Sequence, residues 1–516
     1  MNTTERLRVA YDYVVVGGGS AGCVLAARLS QDPCVTVLLL EAGPGHAGAE
    51  PVDHPETWAT LLGGEYDWGH TYEPNPLLGG RAVPIPRGRV LGGSSSINAM
   101  LWYRGCADDY DAWEEAGAKG WNFRALLPYF RRAEDWEGGA TELRGEGGPL
   151  RITRPADPHP IASGLLGAAS ELGMAVLDDS NGPDIEGASL ANLTVADGRR
   201  VSTARAYLDP AAGRPNLTVR TDVTVIGLLV DGNRCVGVQY DAGHGVEEVR
   251  AEAETLLCAG AISSPHLLML SGIGDPLQLR EHGIGVRVEL PGVGRNLQDH
   301  PLLMGVNFRS KNPLGPGRDN GGGAILNWKS DPALPQPDLH AFVVQGVHAT
   351  PEVAARYDIA GDVFAVSPGL MRAHSVGELT LRSADPAVAP RIDPRYLSDP
   401  RDLAALVAGL DRIFDLAGTL SYRALIDHPV APDRRLSGAE AEEFVRRSCA
   451  TFFHTAGTCS MGYGPDAVVD SELRVHGVEG LRVADASVMP VLPSCNTNAP
   501  VVALAERAAA LIRGEE

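Results

Sequence analysis

The sequence predicts an α/β protein, α+β when the whole chain is counted, built on a Rossmann-type dinucleotide-binding unit. Three observations lead there. The first 45 residues run strand, glycine turn, helix, strand and acid in dinucleotide-binding order. Strand-like runs return between Asn216 and Cys258, and again at 481–485 ahead of an apolar helix. Between them, residues 306–445 carry no cofactor-type motif and read as a second domain facing the first.

The elements follow in order. Tyr13-Val14-Val15-Val16 is apolar and β-branched and passes into Gly17-Gly18-Gly19-Ser20-Ala21-Gly22, a G-x-G-x-x-G turn. Gly17 permits the tight turn, Gly19 lets the backbone approach a pyrophosphate, and Gly22 lets helix and strand pack closely. Ser20 and Ala21 fall at the helix start, where unpaired N–H groups attract phosphate. A second β-rich run, 35–40, ends at Glu41-Ala42, which places an acid to accept from a ribose 2′-OH. Residues 46–90 are rich in Gly and Pro and read as loop, a lid or an extension across the cofactor. A second glycine–serine loop, 87–98, leads into an aromatic, helix-like stretch at 102–121. Residues 150–200 look irregular, with short helices such as 161–172.

From Asn216 the strands are Leu217–Arg220, 223–230 and 235–240, with Asp231-Gly232 as a hairpin turn. Residues 255–258 form a short buried strand that ends at Ala259-Gly260-Ala261. The block 306–445 offers strands at Leu339–Val344 and 378–381 and a helix at 401–416. Residues 481–485 are a strand ending in an acid. The helix from Asn498 buries Val501, Leu504, Ala505, Ala508, Leu511 and Ile512 at helical spacing. Gly292-Val293-Gly294 begins a second glycine turn but lacks its third glycine. With one dinucleotide fold, the bound dinucleotide does the redox chemistry itself and the second domain holds substrate.

Composition narrows the function. At 516 residues the chain calls for two or three domains. It carries 44 basic and 65 acidic residues, a net charge of −21, which repels phosphate backbones and argues against nucleic acid. That charge mildly favours neutral or cationic small molecules over anions, though solubility is the simpler reading. No apolar run reaches the roughly 18 residues of a membrane span. Met1 to Ala10 is polar without a signal-peptide core, so a cytoplasmic location is expected. The eight cysteines are scattered and read as reduced thiols, and no His/Cys/Asp/Glu cluster has metal spacing, so no metal is expected.

Four blocks carry a specific resemblance. They are 88–98 with Trp102, Gly105 and Asp111; 260–274; Phe453-His454 through Gly457 to Gly462; and 481–490 followed by 496–500. Together they resemble the glucose–methanol–choline (GMC) oxidoreductases. The resemblance implies FAD, held in a discontinuous domain (1–150, 200–305 and 446–516) with an inserted sheet-and-helix substrate domain (151–199 and 306–445). It places Val90, Gly93, Ser94, Asn98, Ala99, Met100 and Leu101 along the FAD. Val223 holds the adenine end through its backbone. Asp485 and Ala486 lie near the ribityl and pyrophosphate groups, and Asn496 and Thr497 near the isoalloxazine ring. Some relatives bond the flavin to a histidine just before the Asn of the first block. Ile97 stands there, which implies non-covalent FAD.

Alcohol oxidation needs a base for the hydroxyl proton, donors around the developing alkoxide, and a hydride acceptor at flavin N5. By resemblance the base is His454 and the orienting donor Asn496, with the following helix aiming its positive end at the flavin N1–C2 edge. His300, after Leu297-Gln298-Asp299, reads as structural, and His266, on a helix after Pro265, as packing or capping. His340, His348 and His374 are weaker candidates for the cavity wall, and Trp102, Phe452 and Phe453 for ring faces. The resemblance is to members acting on primary alcohols, choline-type dehydrogenases and aryl or furan alcohol oxidases among them. An aromatic or heteroaromatic alcohol is the first expectation. A choline-like or other aliphatic or sugar alcohol comes second, and a hydroxynitrile lyase with non-redox FAD is the different-class alternative. The electron acceptor is O2 or a soluble or quinone acceptor.

Overall fold

The computed structural model describes residues 7–46 and 48–515; of the polar stretch at residues 1–10, residues 1–6 lie outside it. The first strand, β1 (Ala10–Val16), turns into helix α1 (Ser20–Leu29) and returns as β2 (Val37–Leu40). β1 is central in a seven-stranded sheet, parallel to β2 on one side and to the long strand Val246–Leu257 on the other. Leu217–Arg220 extends the sheet beyond β2, and Leu481–Val483 pairs with residues 255–257, both in parallel. All four residues of β2 are buried, as expected of a parallel strand covered on both faces.

The strand expected at 255–258 is the end of this twelve-residue strand. Its first half alternates exposed and buried residues and pairs antiparallel with Arg234–Asp241, which pairs with Thr224–Asp231. Only the last three residues, Thr255, Leu256 and Leu257, are buried in succession, so this end alone stood out in the sequence. The stretch 102–121 is helical only at Ala107–Glu115. Before that helix the chain runs extended, with Trp102 N–H donating to the Asn192 carbonyl at 2.9 Å. The final helix, Asn498–Arg513, packs on α1 and on Phe123–Ala133. Its buried Glu506 accepts from Arg28 at 2.7 and 2.9 Å and from the Tyr207 hydroxyl at 2.7 Å.

The second sheet is antiparallel. Its main path runs Ile426–Ala431, Asn307–Ser310, Val363–Leu370, Leu339–Val344, Ala324–Trp328 and Gly187–Leu190. The helix Pro400–Ala417, capped by Asp399, covers strand Val363–Leu370. Two short strands join at one end: Pro301–Leu303 pairs antiparallel with Cys449–Thr451, Pro301 facing Thr451. This pairing positions the site, because Asp299-His300 precede one strand and Phe452-Phe453-His454 follow the other. Among the described residues no helix is long and apolar enough to cross a membrane.

Candidate active site

A cavity of about 450 Å³ runs from the β1–α1 turn to the pairing of 301–303 with 449–451. It is lined by Gly17, Gly19, Ser20, Ala21, Glu41, Ala42 and Val223 from the first sheet's loops. The second glycine loop adds Gly93, Ser94, Asn98, Ala99 and Leu101, and the C-terminal segments add His454, Asp485, Ala486, Asn496 and Thr497. Two other residues singled out in the sequence, Val90 and Met100, stand behind this wall, fully buried in neighbouring apolar clusters.

The glycine turn is shaped by close backbone approach. Gly17 has φ +99°, and a Cβ there would lie 2.7 Å from the Cys258 carbonyl oxygen. A Cβ on Gly93 would lie 2.6 Å from the Gly19 Cα, so the two glycine loops touch backbone to backbone. Glu41 first serves the turn itself. Gly18 N–H donates to its Oε2 at 2.8 Å and Gly43 N–H to its Oε1 at 2.7 Å, leaving lone pairs on both oxygens. Burial pushes this carboxyl up to about 7, against the pull of those amides and of Arg89.

Three helices begin at the cavity wall. Neither α1 nor Asn498–Arg513 has a capping side chain or an acid in its first turn. Helices elsewhere, such as Phe123–Ala133 and Pro400–Ala417, are capped by Asn122 and Asp399. The third, Gly260–Leu270, gives its first amide to Asp485 Oδ2 at 2.8 Å, and the same oxygen accepts from the Ser264 hydroxyl at 2.6 Å. Uncapped helix starts leave N–H groups and positive dipole ends for an anion. Together with the glycine cradle and the buried, unpartnered Asn496 Oδ1, they fit a bound dinucleotide.

At the other end stands a buried histidine pair. Asn496 Nδ2 donates to His454 Nε2 at 3.2 Å, so Nε2 is the unprotonated nitrogen. The proton then sits on His454 Nδ1, which donates to His300 Nδ1 at 2.9 Å. Burial holds His454 well below the usual histidine range, with His300, Arg87 and His340 adding to the effect, and burial pushes His300 down to about 3. Both rings are therefore neutral at physiological pH. His454 and Asn496 line the cavity together, with the Nε2 lone pair taken up by the Asn496 amide.

Asp299 fixes this pair. Its Oδ1 accepts from the backbone amides of His300 at 2.9 Å and His454 at 2.8 Å. Its Oδ2 accepts from the hydroxyls of Tyr396 (2.7 Å), Tyr72 and Thr451. Tyr72 is also 3.2 Å from the Thr455 hydroxyl, to which Arg87 Nη2 donates at 2.9 Å. Sequence reasoning missed Asp299, Tyr72, Tyr396 and Arg87. Asp299 could have been found as the buried acid beside His300. The tyrosines could not, because they stand 227 and 97 residues from Asp299.

His300 does not line the cavity; it backs His454 at 5.1 Å between ring centroids. His340 and His348 also stand behind the wall, edge-on to Phe452 and Phe342 at 5.7 and 5.6 Å. His374 lies away from it, its amide bound to Asp402. Phe452 and Phe453 reach the cavity. Trp102 does not: it is fully buried with Nε1–H donating to Glu134 at 3.0 Å.

With this geometry in hand, two sequence profiles described as GMC oxidoreductase match residues 11–302 and 373–505. The chain is 40% identical over 545 residues to the mitochondrial choline dehydrogenase of Homo sapiens, covering 98% of this chain and 90% of that protein. The fold matches the crystal structure of pyridoxine 4-oxidase from Mesorbium loti, with a TM-score of 0.94, 35% identity, and coverage of 98% of this chain and 100% of that one. A formate oxidase from Aspergillus oryzae that carries FAD matches with a TM-score of 0.90 at 29% identity, covering 98% of each chain.

Proposed function

The chain belongs to the GMC oxidoreductase family, and from that membership and the site geometry we propose that it oxidises a primary alcohol to the aldehyde, with His454 as the base and Asn496 as the orienting donor. It is an FAD-dependent alcohol oxidoreductase. Bound FAD supplies the two-electron acceptor for the carbinol hydride. Gly17 to Ala21, Glu41, Ser94, Asn98 and the uncapped helix starts would hold it.

The single observation that carries the reading is the neutral His454 at the cavity wall, its Nε2 lone pair held by the Asn496 amide at 3.2 Å. A hydroxyl entering there gives its proton to Nε2. The Asn496 amide, released from that nitrogen, donates to the oxygen as charge builds on it. His300 accepts from Nδ1 throughout and keeps the ring from turning. Asp299 holds both histidines through their backbone, so the base keeps its aim as its charge changes.

Phe342 and Phe452, at 5.3 Å and nearly perpendicular, line the second-sheet end of the cavity and favour an aromatic or heteroaromatic alcohol. We assign the two sheets to two domains, the parallel sheet to cofactor and the antiparallel sheet to substrate. The test is anaerobic mixing of the flavoprotein with a panel of benzyl, furfuryl and aliphatic alcohols. Bleaching of the flavin is expected, and rapid recovery with peroxide on admitting air identifies O2 as acceptor. A flavin that stays yellow against the whole panel contradicts alcohol oxidation and points to a lyase.

A further inference from the structure

We infer that the substrate pocket is built for an alcohol with an uncharged tail and rejects quaternary-ammonium alcohols, an inference that rests on the alcohol oxidation proposed above. A buried cation needs a counter-charge, and among the described lining residues no free carboxylate stands at the substrate end of the pocket. Among the described residues lining the cavity, the carboxylates are Glu41 and Asp485. Both already hold backbone amides away from the second sheet: Glu41 those of Gly18 and Gly43, Asp485 those of Gly260 and Ser487.

Where the second sheet closes the cavity, the wall is Leu302, Phe342 and Phe452. Among the described lining residues the guanidinium is that of Arg87, bound to Thr455 next to His454. Its Nη2 donates to the neutral Thr455 hydroxyl and its Nε is buried with no partner, while its backbone amide donates to Asp67 Oδ1 at 2.9 Å. Burial is the main cause that lowers His454 and His70, and the nearby Arg87 adds to it in both, against the pull of Asp67 at His70. A second cation entering this end would meet the same field.

Two of the lining rings already have close neighbours of their own. Phe452 is boxed by the rings of His340, Phe342 and His454 at 5.7, 5.3 and 4.8 Å. Trp68 carries the Arg89 guanidinium at 5.4 Å and His70 stacked at 5.9 Å. The overall charge of −21 does not offset this. Exposed charges are screened beyond roughly 8 Å in physiological salt, whereas a charge inside the cavity is not.

The experiment compares choline with 3,3-dimethylbutan-1-ol, which replaces the ammonium nitrogen by carbon at the same shape. The neutral alcohol is expected to show a kcat/KM at least about tenfold higher, since a juxtaposed like charge opposes binding and turnover alike. Equal or better turnover of choline overturns the inference. Benzyltrimethylammonium, which has no hydroxyl, is titrated into the holoenzyme while flavin absorbance is followed. No saturable change is expected, and saturation below about 1 mM overturns the inference. Because the titration needs no turnover, it separates failure of the charge filter from failure of the alcohol oxidation.

Discussion

At the scale of single residues the site depends on a histidine kept neutral by burial and aimed by its neighbours. His454 has a depressed pKa, so its base form persists as pH falls below the ordinary histidine value near 6.5. The acidic limb of kcat/KM should accordingly lie below about pH 6.5, and a limb above pH 7 would show that the base is not this buried ring. Asp299→Asn tests the anchor. The amide keeps the volume but turns an NH2 toward hydroxyls and backbone amides that now donate to a carboxylate. We expect kcat to fall about 10- to 100-fold with flavin content unchanged, together with a lower Tm. A Tm loss without a fall in kcat would reduce Asp299 to a packing residue. The pair His454 and Asn496 was legible in the sequence because each sits in a dense local motif. The Asp299 cluster was not, because its hydroxyls come from Tyr72, Tyr396 and Thr451, which only the fold brings together.

At the scale of elements, the glycine turn binds by letting backbones touch. In Gly17→Ala the new Cβ meets the Cys258 carbonyl at 2.7 Å in a left-handed conformation that alanine disfavours. The variant should purify with little flavin, read as a collapsed ratio of 450 to 280 nm absorbance. A full flavin complement would mean the turn can shift without loss. The strand, turn and helix of this unit were readable because their periodicities are local. The reach of strand Val246–Leu257 was not, since its polar first half pairs with the hairpin and only its last residues enter the core. The stretch 102–121 also misled. Its tryptophans and Tyr110 are spaced for several different neighbours, and the extended run before the helix is held by Asn192 rather than by its own hydrogen bonds. The hairpin at Asp231-Gly232 was legible because turn chemistry is local.

At the scale of the whole molecule, the second sheet meets the first around one cavity, and the buried histidines at that junction link its stability to pH. Burial lowers His300 and His340 to about 3 and His348 to about 4, and holds His454 well below the usual range. In the unfolded chain these rings take up protons below about pH 6.5, whereas in the fold they do not, so stability is full above that pH and drains away as pH falls toward 4. Each ring contributes up to about 1.4 kcal/mol per pH unit over that window. A Tm that stays constant from pH 7 to 4.5 would contradict this burial. Ile97, buried against the cavity where some relatives place a flavin-bonding histidine, predicts that acid or heat denaturation releases free yellow FAD. Cofactor that remains on the polypeptide would refute that prediction. The most direct test of the central claim is the anaerobic rate of flavin reduction by benzyl alcohol in the wild type and in His454→Ala. The wild type should bleach, and the variant, with its full complement of FAD, should bleach at least about 100-fold more slowly. A variant that bleaches at the wild-type rate would contradict the account.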